Sequence, residues 1–285
     1  MTDTVSNTDA IDRLPPLRKV IADYDLRAEK SLGQNFLLDG NITDKIARAA
    51  GIKTDDVVVE IGPGPGGLTR SLLRVPIRHL HAIEMDPRCI LALEPVVAAS
   101  NGRLTLQHGD AMKIDYAALT GGQPFHIVAN LPYKVATPLL LNWLRIMRDN
   151  PALIASMTLM FQKEVADRIM AVPGNKSYGR LSVMAGWLCD IHKCLDLPPT
   201  AFTPAPKVYS AVIQLRPKPN AHTAAQPDFA AVEKIVAQAF NQRRKMIRSP
   251  LKEHIGILQD MGIDTTLRAE NLDIQTYIEL ARRIS

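Results

Sequence analysis

The sequence predicts an α/β protein: a doubly wound, mostly parallel sheet followed by a small all-helical C-terminal domain. Three observations predict it. Short β-branched or apolar runs alternate with amphipathic stretches from residue 41 to residue 170, the pattern of βα units built around a parallel sheet. A glycine-rich turn, Gly62-Pro63-Gly64-Pro65-Gly66-Gly67, joins the first strong strand candidate to the next helix, and such turns let backbone approach a ligand closely. After Pro217 the apolar spacing is helical only.

Taken in order, residues 1–16 are polar and mildly acidic, without the basic-then-apolar design of a signal peptide, so a flexible tail is expected over residues 1–23. Residues 41–50 read as a short helix with Ile42, Ile46 and Ala49 on one face. Val57–Ile61 is a β-branched run and the first strand. A second, residues 79–83, runs into Glu84-Met85-Asp86-Pro87, and residues 90–99 are helical. The third strand, 104–108, ends at Gly109-Asp110, and the fourth, 125–129, ends at Asn130-Leu131-Pro132-Tyr133. Thr137-Pro138 is expected to open a helix, with threonine as N-cap and proline in the first turn. Residues 156–161 make a fifth strand, and 165–170 are helical. The apolar runs 181–195 and 208–215 read as late strands paired as an antiparallel hairpin. Residues 217–227, rich in proline, alanine and polar side chains, read as a linker. Asp228 caps a helix, Ser249-Pro250 starts another, and Ile274, Tyr277, Ile278 and Ala281 stripe a last one. The expected division is a tail over 1–23, a sheet domain over 24–217 and a helical domain over 218–285.

Composition narrows the function classes. Of 285 residues 46% are apolar, enough for a sizeable core, and no stretch approaches membrane-spanning length. The net charge of +5 permits a nucleic-acid partner, and the excess is densest at Arg243, Arg244 and Lys245, followed by Arg248 and Lys252. Long basic side chains there suit phosphate contacts, although a solvated charged face has the same composition. The three cysteines, Cys89, Cys189 and Cys194, are unpatterned and fit a reducing cytosol. Cys189, His192 and Cys194 lack a fourth ligand, so no metal is expected.

The glycine string fits two templates. Gly62, Gly64 and Gly66 have the spacing of S-adenosylmethionine sites, and Gly62, Gly64 and Gly67 that of the dinucleotide fingerprint. Three features favour the sulfonium cofactor. Pro63 and Pro65 remove two N–H donors that a pyrophosphate needs. Glu60 stands just before the loop, where a carboxylate suits an ammonium group. Glu84 and Asp110 end the next two strands, placed for a ribose and for an adenine amine. A nicotinamide-dependent oxidoreductase is the rival enzyme, but Asn130-Leu131-Pro132-Tyr133 offers neither hydride chemistry nor a general acid. Those four residues suit methyl transfer to an exocyclic amine instead. Such a nitrogen is a poor nucleophile because its lone pair is delocalised into the ring. The Asn130 carboxamide and the Leu131 or Pro132 carbonyl are candidate acceptors for its two N–H groups, and Tyr133 for stacking on the base. Phe202 is either the second wall of that base site or a core phenylalanine.

Together these residues resemble the ribosomal RNA adenine N6-dimethyltransferases. The resemblance is carried by Gln34-Asn35-Phe36-Leu37, Glu60-Ile61-Gly62-Pro63-Gly64 with Gly67-Leu68-Thr69, Glu84, Gly109-Asp110-Ala111 and Asn130-Leu131-Pro132-Tyr133. It continues through Gln162-Lys163-Glu164-Val165, Tyr178-Gly179-Arg180-Leu181-Ser182, residues 202–210, Arg243-Arg244-Lys245 and Arg268-Ala269-Glu270-Asn271-Leu272. It implies a Rossmann-like methyltransferase sheet, with cofactor contacts at Asn35, Leu37, Gly62, Gly64, Glu84, Asp110 and Asn130. It implies that Asn130 and Tyr133 hold the target adenine; Leu131 and Phe202 are the further candidates for that base site, and Arg243, Arg244, Lys245 and Arg248 the candidates for RNA contacts. The implied substrate is two adjacent adenosines in a hairpin loop near the 3′ end of small-subunit ribosomal RNA, each methylated twice. A cytoplasmic monomer acting on a precursor of the small subunit is expected. A ribosome-assembly factor with secondary catalysis is the reading from another class.

Overall fold

The computed structural model describes residues 7–26, 35–223 and 225–284. Seven strands form one sheet: β1 (Val57–Ile61), β2 (His79–Glu84), β3 (Leu104–His108), β4 (Phe125–Ala129), β5 (Ile154–Gln162), β6 (Cys189–Leu197) and β7 (Ser210–Pro217). Their spatial order is β3-β2-β1-β4-β5-β7-β6. The pairs β1–β2, β2–β3, β1–β4 and β4–β5 are parallel. Val58, Val59, Phe125, Ile127 and Val128 are fully buried, as central parallel strands covered on both faces require. The strand order reverses between β1 and β4, and ligands bind at the carboxyl ends beside such a reversal. Register places the site residues there. Ile61 lies opposite Ile83 on one side and Ala129 on the other. Gly62, Glu84 and Asn130, each one residue further on, therefore leave the sheet side by side.

The chain divides into two compact units. One comprises residues 1–140, 152–163 and 193–214, and the other residues 141–151, 164–192 and 215–285. The helical unit thus draws on two segments besides the C-terminal one, where the sequence suggested a single boundary at residue 217. The helix Phe229–Asn241 explains why. Its apolar face buries Val232, Ile235, Val236 and Ala239 and needs partners, which it finds in the helices Arg180–Leu188 and Ile274–Ile284. Phe240 meets Tyr178 edge to face and lies tilted against Tyr277, and Trp187 stacks on Phe229.

Several expectations are corrected. Helices occupy Asn7–Asp12 and Leu17–Asp23 where a flexible tail was expected. Ile11, Val20 and Leu26 are buried, Arg70 donates to the Pro15 carbonyl at 2.7 Å, and Arg74 to Asp12 at 2.8 Å. The segment's average polarity conceals those three anchors. Residues 181–188 are helical, not the first half of a hairpin. This run is buried all round, so no alternation marks its period, while the Ser182 hydroxyl accepts the Gly179 N–H at 3.0 Å and fixes the helix start. The helix after β4 begins at Tyr133, before Thr137-Pro138. The Pro132 carbonyl takes the Val135 N–H at 3.1 Å, and Pro138 withholds one bond from the exposed Lys134, whose carbonyl water can satisfy. Turns cover residues 247–251, and the helix expected at Ser249-Pro250 comes later, as a short 3₁₀ turn Lys252–His254 followed by Ile255–Asp260. The expected linker is tied down: Lys218 N–H donates to the Leu188 carbonyl, and Arg148 to the carbonyls of Gln226 and Pro227.

Candidate active site

The glycine loop shapes one wall. Gly66 has φ +90°, and a Cβ there would lie 2.8 Å from the Leu93 side chain, so only glycine fits. Gly62, with φ +67°, meets nothing within 4 Å at its Cβ position, which leaves open space where a side chain would project. A crevice opens here, lined among others by Asn35, Leu37, Glu60, Gly62, Gly64, Glu84, Asn130, Leu131 and Tyr133. An adjoining, largely apolar cavity shares Gly62, Glu84, Leu131 and Pro132 and adds Met85, Asp110, Met112 and Val135. Six of the seven expected cofactor residues thus line the crevice, and Asp110 lines the neighbouring cavity.

The acids differ in role. Glu60 sits inside β1, 1% exposed, and its Oε2 has no hydrogen-bond partner among the described residues. Burial pushes its carboxyl up to about 8, with the Thr69 hydroxyl opposing the rise and the nearby Glu84 charge adding to it. A buried, unpaired carboxylate oxygen facing a crevice suits a cationic donor, as the ammonium of S-adenosylmethionine would be. Glu84, at the end of β2, is 7% exposed. Its carboxylate accepts the backbone N–H groups of Gly64, Met85 and Asp86 at 3.0, 2.7 and 2.9 Å. Burial raises its pKa while those three donors oppose the rise. Glu84 therefore braces the glycine loop against β2, and its position between the two cavities suits a ribose. Asp110 is half-buried, with Oδ1 taking the Met112 N–H at 2.9 Å.

At the end of β4, the Asn130 carboxamide and the Leu131 carbonyl have no hydrogen-bond partner among the described residues. The Pro132 carbonyl is engaged by Val135. Of the two candidate second acceptors the Leu131 carbonyl is thus the one left unengaged among the described residues, and Leu131 lines the crevice. Tyr133 is half-buried, and its hydroxyl meets the Ser210 Oγ at 2.7 Å. Phe202 is not placed opposite it. Its ring is 4% exposed and belongs to the main core cluster with Leu37, its partner in a two-stranded ribbon. Sequence reasoning missed Ser210, since no local signal links residues 77 positions apart.

The basic residues also divide. Arg244, Lys245 and Arg248 line a groove of the helical unit together with Arg268, Met246 and Leu267. Main-chain bonds from Ile247 to Leu267 and from Arg248 to Thr265 build it. Arg244 and Lys245 pair with no acid among the described residues. Arg243 donates instead to Glu270, which also lines the groove, at 2.9 Å, and to the Lys176 carbonyl. Arg268, read in the sequence only as part of the motif Arg268-Ala269-Glu270-Asn271-Leu272, was not among the expected RNA contacts.

A family model described as ribosomal RNA adenine dimethylase matches residues 25–285. A ribosomal RNA small subunit methyltransferase A of Paracoccus denitrificans is 53% identical, the match covering 97% of this chain and 98% of that protein. The protein of the same name from Rhodospirillum rubrum is 49% identical over 96% of this chain and 93% of its own. Among solved structures, a dimethyladenosine transferase from Plasmodium falciparum superposes with a TM-score of 0.71 at 27% identity, covering 85% of this chain and 94% of that one. The 23S rRNA methyltransferase ErmE superposes with a TM-score of 0.64 at 25% identity, covering 87% and 99%. These matches run along nearly the whole length of the chain, and the chain belongs to the ribosomal RNA adenine dimethylase family.

Proposed function

We infer that the protein is an S-adenosylmethionine-dependent methyltransferase that dimethylates adenine N6 in ribosomal RNA. The observation that carries this reading is the pair of unpartnered acceptors, the Asn130 carboxamide and the Leu131 carbonyl, beside the Tyr133 ring at the strand-order reversal. When bound, the cofactor supplies an electrophilic methyl group on sulfur. Tyr133 offers the target base a stacking face. Asn130 and Leu131 accept the two N6 hydrogens and turn the nitrogen lone pair out of conjugation, toward the methyl group. The nitrogen forms the new bond, the carbon–sulfur bond breaks, and the amine releases one proton to solvent. After the first transfer one N–H remains for the same acceptors, so the geometry serves a second round. No general base is needed, and the protein's work is alignment. The Glu60 carboxylate would hold the cofactor ammonium, Glu84 the ribose and Asp110 the adenine amine.

The substrate we propose is the small-subunit RNA, at two adjacent adenosines in a hairpin loop near its 3′ end, within a precursor of the small subunit. Support comes from the full-length match to small-subunit methyltransferases. We further propose that the protein acts as a cytoplasmic monomer. No helix among the described residues is long and apolar enough to cross a membrane. Mass spectrometry of ribosomal RNA from cells with and without the protein tests the reading. N6,N6-dimethyladenosine in that loop is expected only when the protein is present, and an unchanged RNA would overturn the assignment.

A further inference from the structure

The Tyr133 ring is held at both ends. Its backbone starts the helix Tyr133–Asp149, and its hydroxyl lies 2.7 Å from the Ser210 Oγ. Ser210 opens β7 and is completely buried. The adjacent Tyr209 carbonyl accepts the Lys163 N–H at 2.8 Å, so β7 is fixed where the bond is made. A tyrosine used only as a stacking face needs no buried partner for its hydroxyl, because a half-exposed phenol is satisfied by water. Here the hydroxyl is drawn into the fold, and burial raises its pKa. It therefore remains a neutral group and can act as donor or acceptor toward serine.

We propose that Ser210 is a positioning residue for methyl transfer: its hydroxyl anchors the outer end of the Tyr133 ring, and so holds in place the face on which the target base stacks. This rests on the reading that Tyr133 stacks on that base. A base that tilts with a loose ring carries its N6 away from the Asn130 and Leu131 acceptors and off the line of attack. Small losses of alignment lower the rate of a reaction that depends on proximity. Cofactor affinity does not depend on the bond, and capture of RNA, spread over many contacts, changes little. The effect should appear in the rate of transfer.

The test is a double-mutant cycle in the full-length protein. Single-turnover methylation of unmethylated small ribosomal subunits is measured at saturating cofactor for wild type, Ser210→Ala, Tyr133→Phe and the double variant. Cofactor and RNA affinities and thermal midpoints are measured in parallel. The bond is removed from one end by Ser210→Ala and from the other by Tyr133→Phe, and the second change sits at a half-exposed position that tolerates it. Each single variant should lose about five- to tenfold in rate with both affinities near normal, the loss expected from one neutral hydrogen bond used in alignment. The double variant should fall no further. Unchanged rates in the single variants, losses that multiply in the double variant, or a parallel loss of cofactor affinity would each overturn the role of Ser210. Tyr133→Ala separates the two levels. A normal rate in that variant would remove the stacking reading itself, whereas a large loss beside normal Ser210→Ala and Tyr133→Phe rates would overturn the positioning role alone.

Discussion

Glu60 concentrates the site's chemistry in one side chain. Its folded-state pKa of about 8 lies above the ordinary 4.5, so the ligand-free protein carries this carboxyl mostly protonated at pH 7. An ammonium brought against it favours the carboxylate and lowers that pKa. Binding of S-adenosylhomocysteine at pH 7 should therefore release up to one proton, read by calorimetry in buffers of different ionisation enthalpy. Glu60→Gln should abolish that release and weaken binding by about 1–3 kcal/mol. The same proton release from the variant would remove Glu60 from the ammonium site. A raised carboxyl pKa means that the folded state binds more protons than the unfolded one, so this group's contribution to stability is lost as pH rises from 4.5 to about 8. The thermal midpoint of Glu60→Gln relative to wild type should accordingly rise across that window. Residue identity gave Glu60 and Asn130 as candidates. It could not give the orphaned oxygen on the first, nor choose the Leu131 carbonyl over that of Pro132. Those distinctions depend on partners supplied by the folded backbone.

The strands show how far pattern reaches. The β-branched run Val57–Ile61 and the strands Leu104–His108 and Phe125–Ala129 have the bounds their sequences suggest, since short apolar runs between turn residues admit one period. Residues 181–188 carry no such contrast, and Thr137-Pro138 has the chemistry of a helix start inside a helix that begins earlier. Strand ends matter most for function, and Glu84 illustrates a role that a strand-end carboxylate does not announce. Its three backbone donors come from the glycine loop and from its own turn. Glu84→Ala should lower both cofactor affinity and the thermal midpoint of the ligand-free protein, with roughly 2 kcal/mol lost as buried N–H groups go unpaired. Glu84→Gln, which keeps an acceptor oxygen, should recover part of the stability. A midpoint for Glu84→Ala equal to that of wild type would show that the loop does not depend on this brace.

One unit carries the crevice and the other the groove lined by cations. The α/β class and the helical C-terminal region were legible in sequence because periodicity is local. The segments 141–151 and 164–192 of the helical unit were not, because only long-range packing assigns them. The same applies to the cations. Arg243, Arg244 and Lys245 are adjacent in sequence, yet Arg243 is bound to Glu270 while the distant Arg268 lines the groove. Alanine at Arg244, Lys245, Arg248 or Arg268 should each flatten the log–log salt dependence of RNA binding by about one. Arg243→Ala should instead act chiefly on the thermal midpoint, and an equal salt slope for Arg243→Ala and Arg268→Ala would contradict that division. The central claim is that the crevice at the β1–β4 reversal methylates an adenine amine held by Asn130. Single-turnover transfer to unmethylated small ribosomal subunits, at saturating cofactor, tests it most directly. Wild-type protein should convert adenosine to N6,N6-dimethyladenosine, and Asn130→Ala should bind RNA nearly as well yet transfer at least a hundredfold more slowly, the effect of about 3 kcal/mol at the transition state. A near-normal rate for Asn130→Ala under those conditions would contradict the account.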